Sequence, residues 1–277
     1  MNRYIKLVNF EFNRFLKIYL VLIGITIASQ ILGAIIRSNQ YLNDMNDLLY
    51  EQLMTREAAL EQLGKISFYH ITQTVWFMGP IAICIVTLLI YMFFIWYRDW
   101  FGKNTFIYRL LMLPTARINV YFAKATTILL MVFGLVAIQL LMLPVGRRVL
   151  QWMIPVDFRV DQTIREILTS FDYLMILFPS TFYEFVIHYA IGFAVVLVVF
   201  TAILFERSFR WKGIVFGLIF GAFAVTIFIF PVIVQAFILP EFFYPIELFA
   251  LECIAGLVVV SLSIWTSNYL LKKKIRV

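Results

Sequence analysis

The chain has 277 residues, of which 63% are hydrophobic and 14% are charged, and its mean hydropathy is +0.91. A soluble domain has about 45–50% apolar and about 25% charged residues, so this composition excludes an ordinary soluble protein and indicates lipid-facing side chains. The net charge of +7 does not point to nucleic acid as a partner, because membrane proteins concentrate basic residues in their cytoplasmic loops.

Six segments are long and apolar enough to cross a bilayer as helices, which requires about 20 residues each. The sequence therefore predicts an all-α polytopic membrane protein with a single transmembrane domain over residues 1–277. The predicted spans are Phe15–Ile36, Trp76–Tyr97, Val120–Leu143, Glu184–Phe205, Gly213–Phe237 and Ile246–Leu271.

Residues 1–14 predict an amphipathic helix ahead of the first span. Ile5 and Val8 fall on one face of this helix at helical spacing, whereas Arg3 and Lys6 fall on the other. A helix of this kind lies flat at the headgroups with its basic face toward anionic lipid. We therefore expect residues 1–14 to form an interfacial helix in contact with the lipid bilayer.

The charged residues predict which side of the membrane each connecting segment occupies. With the N-terminus inside, the inner segments hold 16 of the 23 basic residues but only 3 of the 16 acidic residues. Short cytoplasmic segments carry such an excess of lysine and arginine. Both termini and the segment 98–119 are therefore predicted to be cytoplasmic, and a bacterial plasma membrane is the expected location.

Two long outer segments, 37–75 and 145–183, each carry a helix signal. In the first segment, apolar residues recur near helical spacing ahead of Gly64, which is placed to end a helix. In the second segment, Thr163 and Glu166 fit a capping box. Helices in these segments either cover the outer mouth of a pathway or only pack on the outer ends of the spans.

The segment between the second and third spans predicts a short inner helix over residues 104–113. Asn104 or Thr105 can cap this helix at its start, and Pro114 ends it. Its position between two spans makes it the most informative part of the sequence for function.

This short helix has one apolar face. Phe106, Leu110 and Leu113 share that face, whereas Tyr108 and Arg109 point elsewhere. A short helix with an apolar face and protruding polar groups either docks into a groove of a partner protein or rests at the membrane interface without a partner.

The segment resembles the cytoplasmic loop of permeases of the type-2 class of ABC exporters, which have an ABCG-like membrane fold. In that class, an acidic residue and a glycine precede a Leu-x-x-Leu-Pro-x-x-Arg stretch, and a lysine begins the next span. The matching residues are Asp99, Gly102, Leu110, Leu113, Pro114, Arg117 and Lys124. The ending Ser267–Ile275 is similar to the Tyr-Leu-Leu-x-Lys-Lys ending of the class, but the short link Ile238–Pro245 departs from its usual large outer element.

The resemblance implies a permease subunit that pairs with a second permease, the same or a related chain, and with two cytoplasmic ABC ATPase subunits. Residues 104–113 would then be the coupling helix. The ATPase-coupling residues would be Asp99, Phe106, Arg109, Leu110, Leu113, Pro114 and Arg117. Because the chain has no G-x-x-x-x-G-K-[ST] phosphate loop, ATP and Mg²⁺ would bind to the partner ATPase, and this chain would hold no cofactor.

Two further groups of residues stand out within the spans. Gly213, Gly217 and Gly221 recur every four residues and let another helix approach closely, either within the chain or at a subunit interface. His188 and Glu252 are ionisable groups near the outer ends of spans. They either pair, line an outer vestibule, or reach the outer interface separately.

Enzyme signatures are missing from the sequence, which contains neither an H-E-x-x-H nor a G-x-S-x-G motif. We therefore predict no catalytic residue and no metal site in this chain, so that any ATP-driven translocase activity would belong to the complex. Spans with almost no charge favour an amphipathic peptide, an antibiotic or a lipid-like molecule as cargo. The alternatives are a secondary transporter or channel, or a non-transporting sensor or assembly subunit.

Overall fold

The computed structural model describes residues 3–101, 106–169, 172–238, 240 and 242–275, without the side chains of residues 172 and 173. Six helices in these ranges are long and apolar enough to cross a membrane, which confirms the predicted all-α fold with six spans. The spanning helices are α1 (Arg3–Asn46), α4 (Val75–Trp100), α6 (Ile118–Met153), α9 (Phe182–Phe209), α10 (Trp211–Ile233) and α11 (Pro245–Tyr269). The shorter helices are α2 (Arg56–Leu63), α3 (Phe68–Thr72), α5 (Phe106–Leu111), α7 (Ile164–Thr169) and α8 (Asp172–Leu177).

Three of the spanning helices continue into a single π-helical turn. These turns are Asp47–Glu51 after α1, Val234–Ile238 after α10 and Leu270–Lys274 after α11. Six crossings bring both ends of the chain to the same side of a membrane. We call this side the inner side, following the distribution of basic residues.

The first helix joins the predicted helix of residues 1–14 to the first span without a break, and its location at the membrane interface stays a prediction. Helix α1 runs unbroken from Arg3 into the first span, with no boundary near residue 14. No glycine or proline occurs between Arg3 and Gly24, so nothing in the local sequence ends the helix. In addition, Glu11 is only 2% exposed, which means that it contacts protein rather than the aqueous face of a flat helix.

Helices α1 and α6 are also longer than predicted and shorten the two outer segments. Helix α1 ends at Asn46 rather than Ile36, and α6 ends at Met153 rather than Leu143. Hydropathy predicts which residues of a helix lie in lipid. It does not predict where the helix ends, because helix ends depend on packing and on helix-breaking residues. Pro144 lies inside α6 without ending it, as prolines in membrane helices often do.

The chain forms two compact units. The first unit comprises residues 1–14, 89–129 and 186–277, and therefore contains the inner segment between α4 and α6 together with the last three spans. The second unit comprises residues 15–88 and 130–185, and contains both outer segments. Its hydrophobic core includes residues of α1, α4 and α6 and of the short outer helices.

Both helix signals in the outer segments are confirmed. Helix α2 ends at Gly64, whose φ of 73° places it in the left-handed region that favours glycine. At the start of α7, the Thr163 hydroxyl accepts a hydrogen bond from the Glu166 amide at 3.3 Å, and the Thr163 amide donates to the Glu166 carboxylate at 2.8 Å. This reciprocal arrangement is the predicted capping box.

The two outer segments are joined by a short parallel pairing that the sequence pattern does not indicate. Strand β1 (Ile66–Ser67) pairs with strand β2 (Arg159–Val160). Nearby, the Tyr41 hydroxyl lies 2.7 Å from the Gly64 carbonyl and 3.1 Å from the Phe158 carbonyl. The extra turns of α1 therefore serve to hold both outer segments.

We expect the outer segment around Asp161 to become less protected at acidic pH. Hydrogen bonds from Gln151 and Arg159 lower the pKa of Asp161 below its ordinary value of 3.8. A lowered folded-state pKa adds stability that is fully present above the unfolded-state pKa and is lost as the pH falls through the folded-state pKa. The effect should be small, because the Asp161 side chain is 48% exposed and water screens its ion pair.

Hydrogen exchange between pH 6 and pH 3, corrected for the intrinsic rate, should show faster opening of residues 151–161 at the acidic end. An Asp161→Asn variant should remove most of this pH dependence. If the variant and the natural chain respond to pH equally, Asp161 is not the responsible group.

Candidate functional site

Five charged side chains meet at the inner ends of three helices. They are Glu11 and Arg14 of α1, Arg98 and Asp99 of α4, and Lys124 of α6. We call this group the buried charge cluster, because Asp99 and Lys124 are fully buried and Glu11 is 2% exposed. Glu11 and Arg14 are three residues apart in sequence, so both reach the same side of α1.

Lys124 is at the centre of the buried charge cluster. Its Nζ lies 2.7 Å from Glu11 Oε1 and 2.9 Å from the Ile95 carbonyl oxygen, and it also donates to Asp99 Oδ2. An ammonium group has three donors, so all of them are used by protein acceptors. A buried ammonium requires such complete pairing, because an unpaired buried charge is costly.

The two arginines complete the pairing of the carboxylates. Arg14 Nη1 lies 2.7 Å from Asp99 Oδ1, and Arg98 Nη2 lies 3.0 Å from Glu11 Oε2. Each carboxylate therefore contacts Lys124 through one oxygen and an arginine through the other. The three cations and two carboxylates leave a formal charge of +1 on the buried charge cluster.

Aromatic rings connect the buried charge cluster to the inner helix α5. The Arg14 guanidinium lies 5.2 Å from the ring centroids of both Phe10 and Phe106. These two rings are stacked at 5.8 Å. Phe106 is the first residue of α5, so the start of this helix is held against α1.

Helix α5 is observed where the sequence predicts it, but a different face is buried. Ile107, Leu110 and Leu111 are buried, whereas Leu113 is 40% exposed. Of the predicted apolar face of Phe106, Leu110 and Leu113, Leu110 is therefore buried within the protein and Leu113 lies beyond the end of the helix. The reason is that α5 ends at Leu111, so Leu113 no longer follows the helical spacing.

Four residues of the inner segment, Arg109, Met112, Leu113 and Pro114, are exposed, and the Pro114 carbonyl accepts a hydrogen bond from Arg3. Met112 is 69% exposed. We call these four residues the loop surface. The possible capping residues Asn104 and Thr105, and also Gly102, lie outside the described residues.

The end of the inner segment contacts the C-terminal part of the chain. Arg117 Nη1 lies 2.8 Å from the Leu271 carbonyl and 3.0 Å from the Ile275 carbonyl. Leu271 and Ile275 are themselves buried. The guanidinium thus satisfies carbonyl groups that the end of a helix leaves without an intrahelical partner. The two stretches that carry the family resemblance therefore touch each other, a contact that the sequence does not reveal.

Glu206 at the inner end of α9 has a second partner besides the neighbouring arginine. Glu206 forms an ion pair with Arg207 at 3.6 Å, and the Tyr97 hydroxyl also donates to the Glu206 carboxylate. The Arg207 guanidinium lies 4.6 Å from the Tyr97 ring centroid and 5.0 Å from that of Phe101. These contacts join the inner ends of α4 and α9.

A line of buried hydroxyl groups joins three spans, and sequence analysis missed it. The Tyr121 hydroxyl donates to the Leu197 carbonyl at 2.8 Å, and the Thr201 and Ser267 hydroxyls are 2.9 Å apart. Thr201 and Ser267 are fully buried. Hydroxyl groups that bond across helices are a common means of holding membrane helices together. In the sequence, these contacts are indicated only by single serine and threonine residues within otherwise apolar spans.

Two of the three spaced glycines pack closely against α9. A Cβ at Gly213 would overlap the carbonyl of Phe205, and a Cβ at Gly217 would lie 2.9 Å from the carbonyl of Ala202. A Cβ at Gly221 would meet no atom within 4 Å. The close approach therefore involves the first two glycines and lies within this chain.

Replacing Gly213 with alanine should lower the free energy of unfolding by about 1–3 kcal/mol, the usual cost of overpacking. The obstacle is a backbone carbonyl, which a rotamer change cannot move. Gly221→Ala is the matched control and should be neutral or slightly stabilising. The melting temperatures of both variants are measured in the same detergent. Equal melting temperatures would contradict the predicted difference between the two glycines.

His188 and Glu252 are not brought together. His188 is exposed and Glu252 is partly buried, and no hydrogen bond or ion pair joins them in the part of the chain that the structure describes. The suggested outer vestibule therefore has no support from a contact between these two side chains, and it stays a prediction.

No group of three or more His, Cys, Asp or Glu side chains that could hold a metal ion occurs among the described residues. The two cysteines are free, with Cys84 buried and Cys253 exposed. What the inner side offers is a surface for contact, because the charges of the buried charge cluster are paired with one another and the loop surface is exposed.

Comparisons with protein-family models, with curated proteins and with solved structures gave no match. The resemblance to type-2 ABC exporters stays a prediction, and its matching residues are Asp99, Gly102, Leu110, Leu113, Pro114, Arg117 and Lys124. The identification that the fold supports is therefore a structural one: the chain is a multi-pass membrane protein with six candidate spans.

Proposed function

We propose that the chain is the membrane-spanning permease subunit of an ABC exporter, and that separate ATPase subunits bind its inner side. The observation that carries this proposal is the way in which the inner segment is held. Its flanking residues Asp99 and Lys124 are fully buried in ion pairs, whereas the loop surface between them is exposed.

A segment that transmits motion from an ATPase must be both accessible and firmly attached to the spans. The loop surface meets the first condition, because Arg109, Met112 and Leu113 are exposed. The segment is also firmly attached to the spans, because the hydrogen bonds of Lys124 and Arg117 reach α1, α4 and the end of α11. A displacement of the loop would therefore act on several spans at once.

The exposed side chains also suit a protein partner. Methionine and leucine beside an arginine combine apolar area with a hydrogen-bond donor, and methionine and arginine are enriched at protein interfaces. The resemblance names the partner as an ABC ATPase, which would supply the nucleotide and Mg²⁺. A second permease, the same or a related chain, would complete the pathway.

The distribution of buried charge favours this proposal over a secondary transporter or channel. Such proteins place ionisable groups or broken helices near the middle of the membrane. Among the described residues, the fully or almost fully buried charged side chains are Glu11, Asp99 and Lys124, and these lie near the inner ends of their spans. The proposed cargo is accordingly an uncharged or amphipathic peptide, antibiotic or lipid-like molecule.

Co-expression with the ABC ATPase encoded nearest to the gene tests the proposal. We expect the two proteins to copurify, and we expect ATP hydrolysis by the complex in vesicles to exceed that of the ATPase alone. A non-transporting sensor would bind without ATP-dependent cargo movement, and a secondary transporter would move cargo on an ion gradient without ATP. Failure to bind any ABC ATPase from the same genome would overturn the proposal.

A further inference from the structure

The outer end of α6 carries an exposed stripe that the proposed function does not use. Leu141, Val145, Arg148 and Trp152 are all exposed and recur at spacings of four, three and four, so they share one face of the helix. Trp152 is 90% exposed. An open groove of about 690 Å³ runs along this face, a volume within the range of small-molecule sites. Its lining is Pro144, Val145, Arg148, Val149, Gln151 and Trp152.

Arg148 is the charged group of this groove, and it has no protein partner in the described ranges. The other arginines nearby are used by the protein: Arg147 donates to the Gln162 carbonyl at 3.1 Å, and Arg159 pairs with Asp161 at 3.1 Å. Arg148, in contrast, forms no hydrogen bond and no ion pair with any described residue. The groove therefore presents an uncompensated positive charge.

The sequence places this charge at the depth of lipid headgroups. The 22 residues 125–146 of α6 contain no charged side chain. At a rise of about 1.5 Å per residue they extend about 33 Å, close to the thickness of the hydrocarbon core. Arg148 therefore follows directly after the hydrocarbon ends, and Trp152 lies one turn further out, where indole rings are enriched.

We propose that this groove binds the headgroup of an anionic phospholipid of the outer leaflet. The phosphate and the anionic headgroup would contact the Arg148 guanidinium, the headgroup would lie against the Trp152 ring, and the acyl chains would extend along Val145 and Leu141. Charge complementarity selects this occupant, because Arg148 is the only charged residue among the described lining residues of the groove, and the apolar stripe below it continues toward the hydrocarbon core. The inference is independent of the proposed function, since it concerns a lipid site and no ATPase.

Quenching of Trp152 fluorescence by brominated lipids tests the proposal. The chain is reconstituted in vesicles with equal mole fractions of phosphatidylglycerol or phosphatidylcholine brominated near the glycerol backbone. The difference between the natural chain and a Trp152→Phe variant isolates the signal of this residue. We expect an apparent preference of about fivefold for the anionic lipid, the ratio that corresponds to ~1 kcal/mol for one cation at a membrane surface.

Arg148→Gln should abolish this preference, whereas Arg165→Gln, at an exposed arginine that is not among the described lining residues, should leave it unchanged. Equal quenching by the two lipids in the natural chain would overturn the proposal, because it would mean ordinary lipid contact. Absence of quenching by either lipid would also overturn it, because Trp152 would then be covered by protein, for instance a second copy of the chain, or lie beyond the bilayer.

Discussion

Replacing Lys124 with methionine is expected to lower the free energy of unfolding by about 3–5 kcal/mol, because it removes one partner of a buried ion pair and leaves the other buried. Two carboxylates are affected, since Lys124 pairs with both Glu11 and Asp99. Methionine has a similar length and keeps the packing, so the loss should be electrostatic. The loss is measured as the difference in unfolding free energy between the variant and the natural chain, both denatured in mixed micelles.

Lys272→Met is the matched control, because Lys272 is an exposed lysine on the inner side and should cost almost nothing. A second variant separates charge from packing. In a chain that already carries Glu11→Gln, the Lys124→Met change should cost at least about 1 kcal/mol less, since one of the two carboxylates that pair with Lys124 is already gone. Strictly additive effects of the two changes would contradict the described pairing.

Replacing Arg109, Met112 and Leu113 together with alanine should reduce coupled ATP-dependent transport by tenfold or more while the protein remains folded. A few residues near the centre of an interface usually carry most of its binding free energy, and truncating one of them costs about 2 kcal/mol or more. The three side chains are exposed, so their loss should not change the melting temperature by more than a degree or two. Transport and ATP hydrolysis by the reconstituted complex are the measurements.

Two controls make this result specific. Trp211→Ala removes a larger exposed apolar side chain, 85% exposed, at the inner end of α10, and should leave transport unchanged. Leu110→Ala acts on a buried residue of α5 and should lower stability as well as transport. If the triple variant binds the ATPase and transports normally, the loop surface is not the coupling element.

The parts of the fold that depend on local chemistry could be predicted from the sequence. The six spans follow from hydropathy, because about 20 apolar residues have no alternative to a bilayer-spanning helix. The end of α2 at Gly64 and the capping box of α7 also follow from single residues with specific backbone preferences. None of these features requires knowledge of a distant contact.

The features that the sequence left undetermined depend on contacts between distant residues. The buried face of α5 is set partly by Phe10 and Arg14, which lie more than ninety residues earlier in the chain. Asp99 and Lys124 were recognisable as positions of a motif, but Glu11, the second carboxylate that pairs with Lys124, was not, because a glutamate in an amphipathic helix ordinarily faces water. Arg117 was likewise recognisable as a position of the motif, but the carbonyl groups near the C-terminus to which it donates were not.

The pairing of Glu11 with Lys124 has a consequence for the order of events during synthesis. The two residues are 113 positions apart, so at roughly 5–20 residues per second the ribosome delivers the lysine about 6–23 s after the glutamate. During that interval the first helix contains a carboxylate whose strongest partner does not yet exist. The N-terminal turns can therefore take their final place only after the start of the third span has emerged from the ribosome.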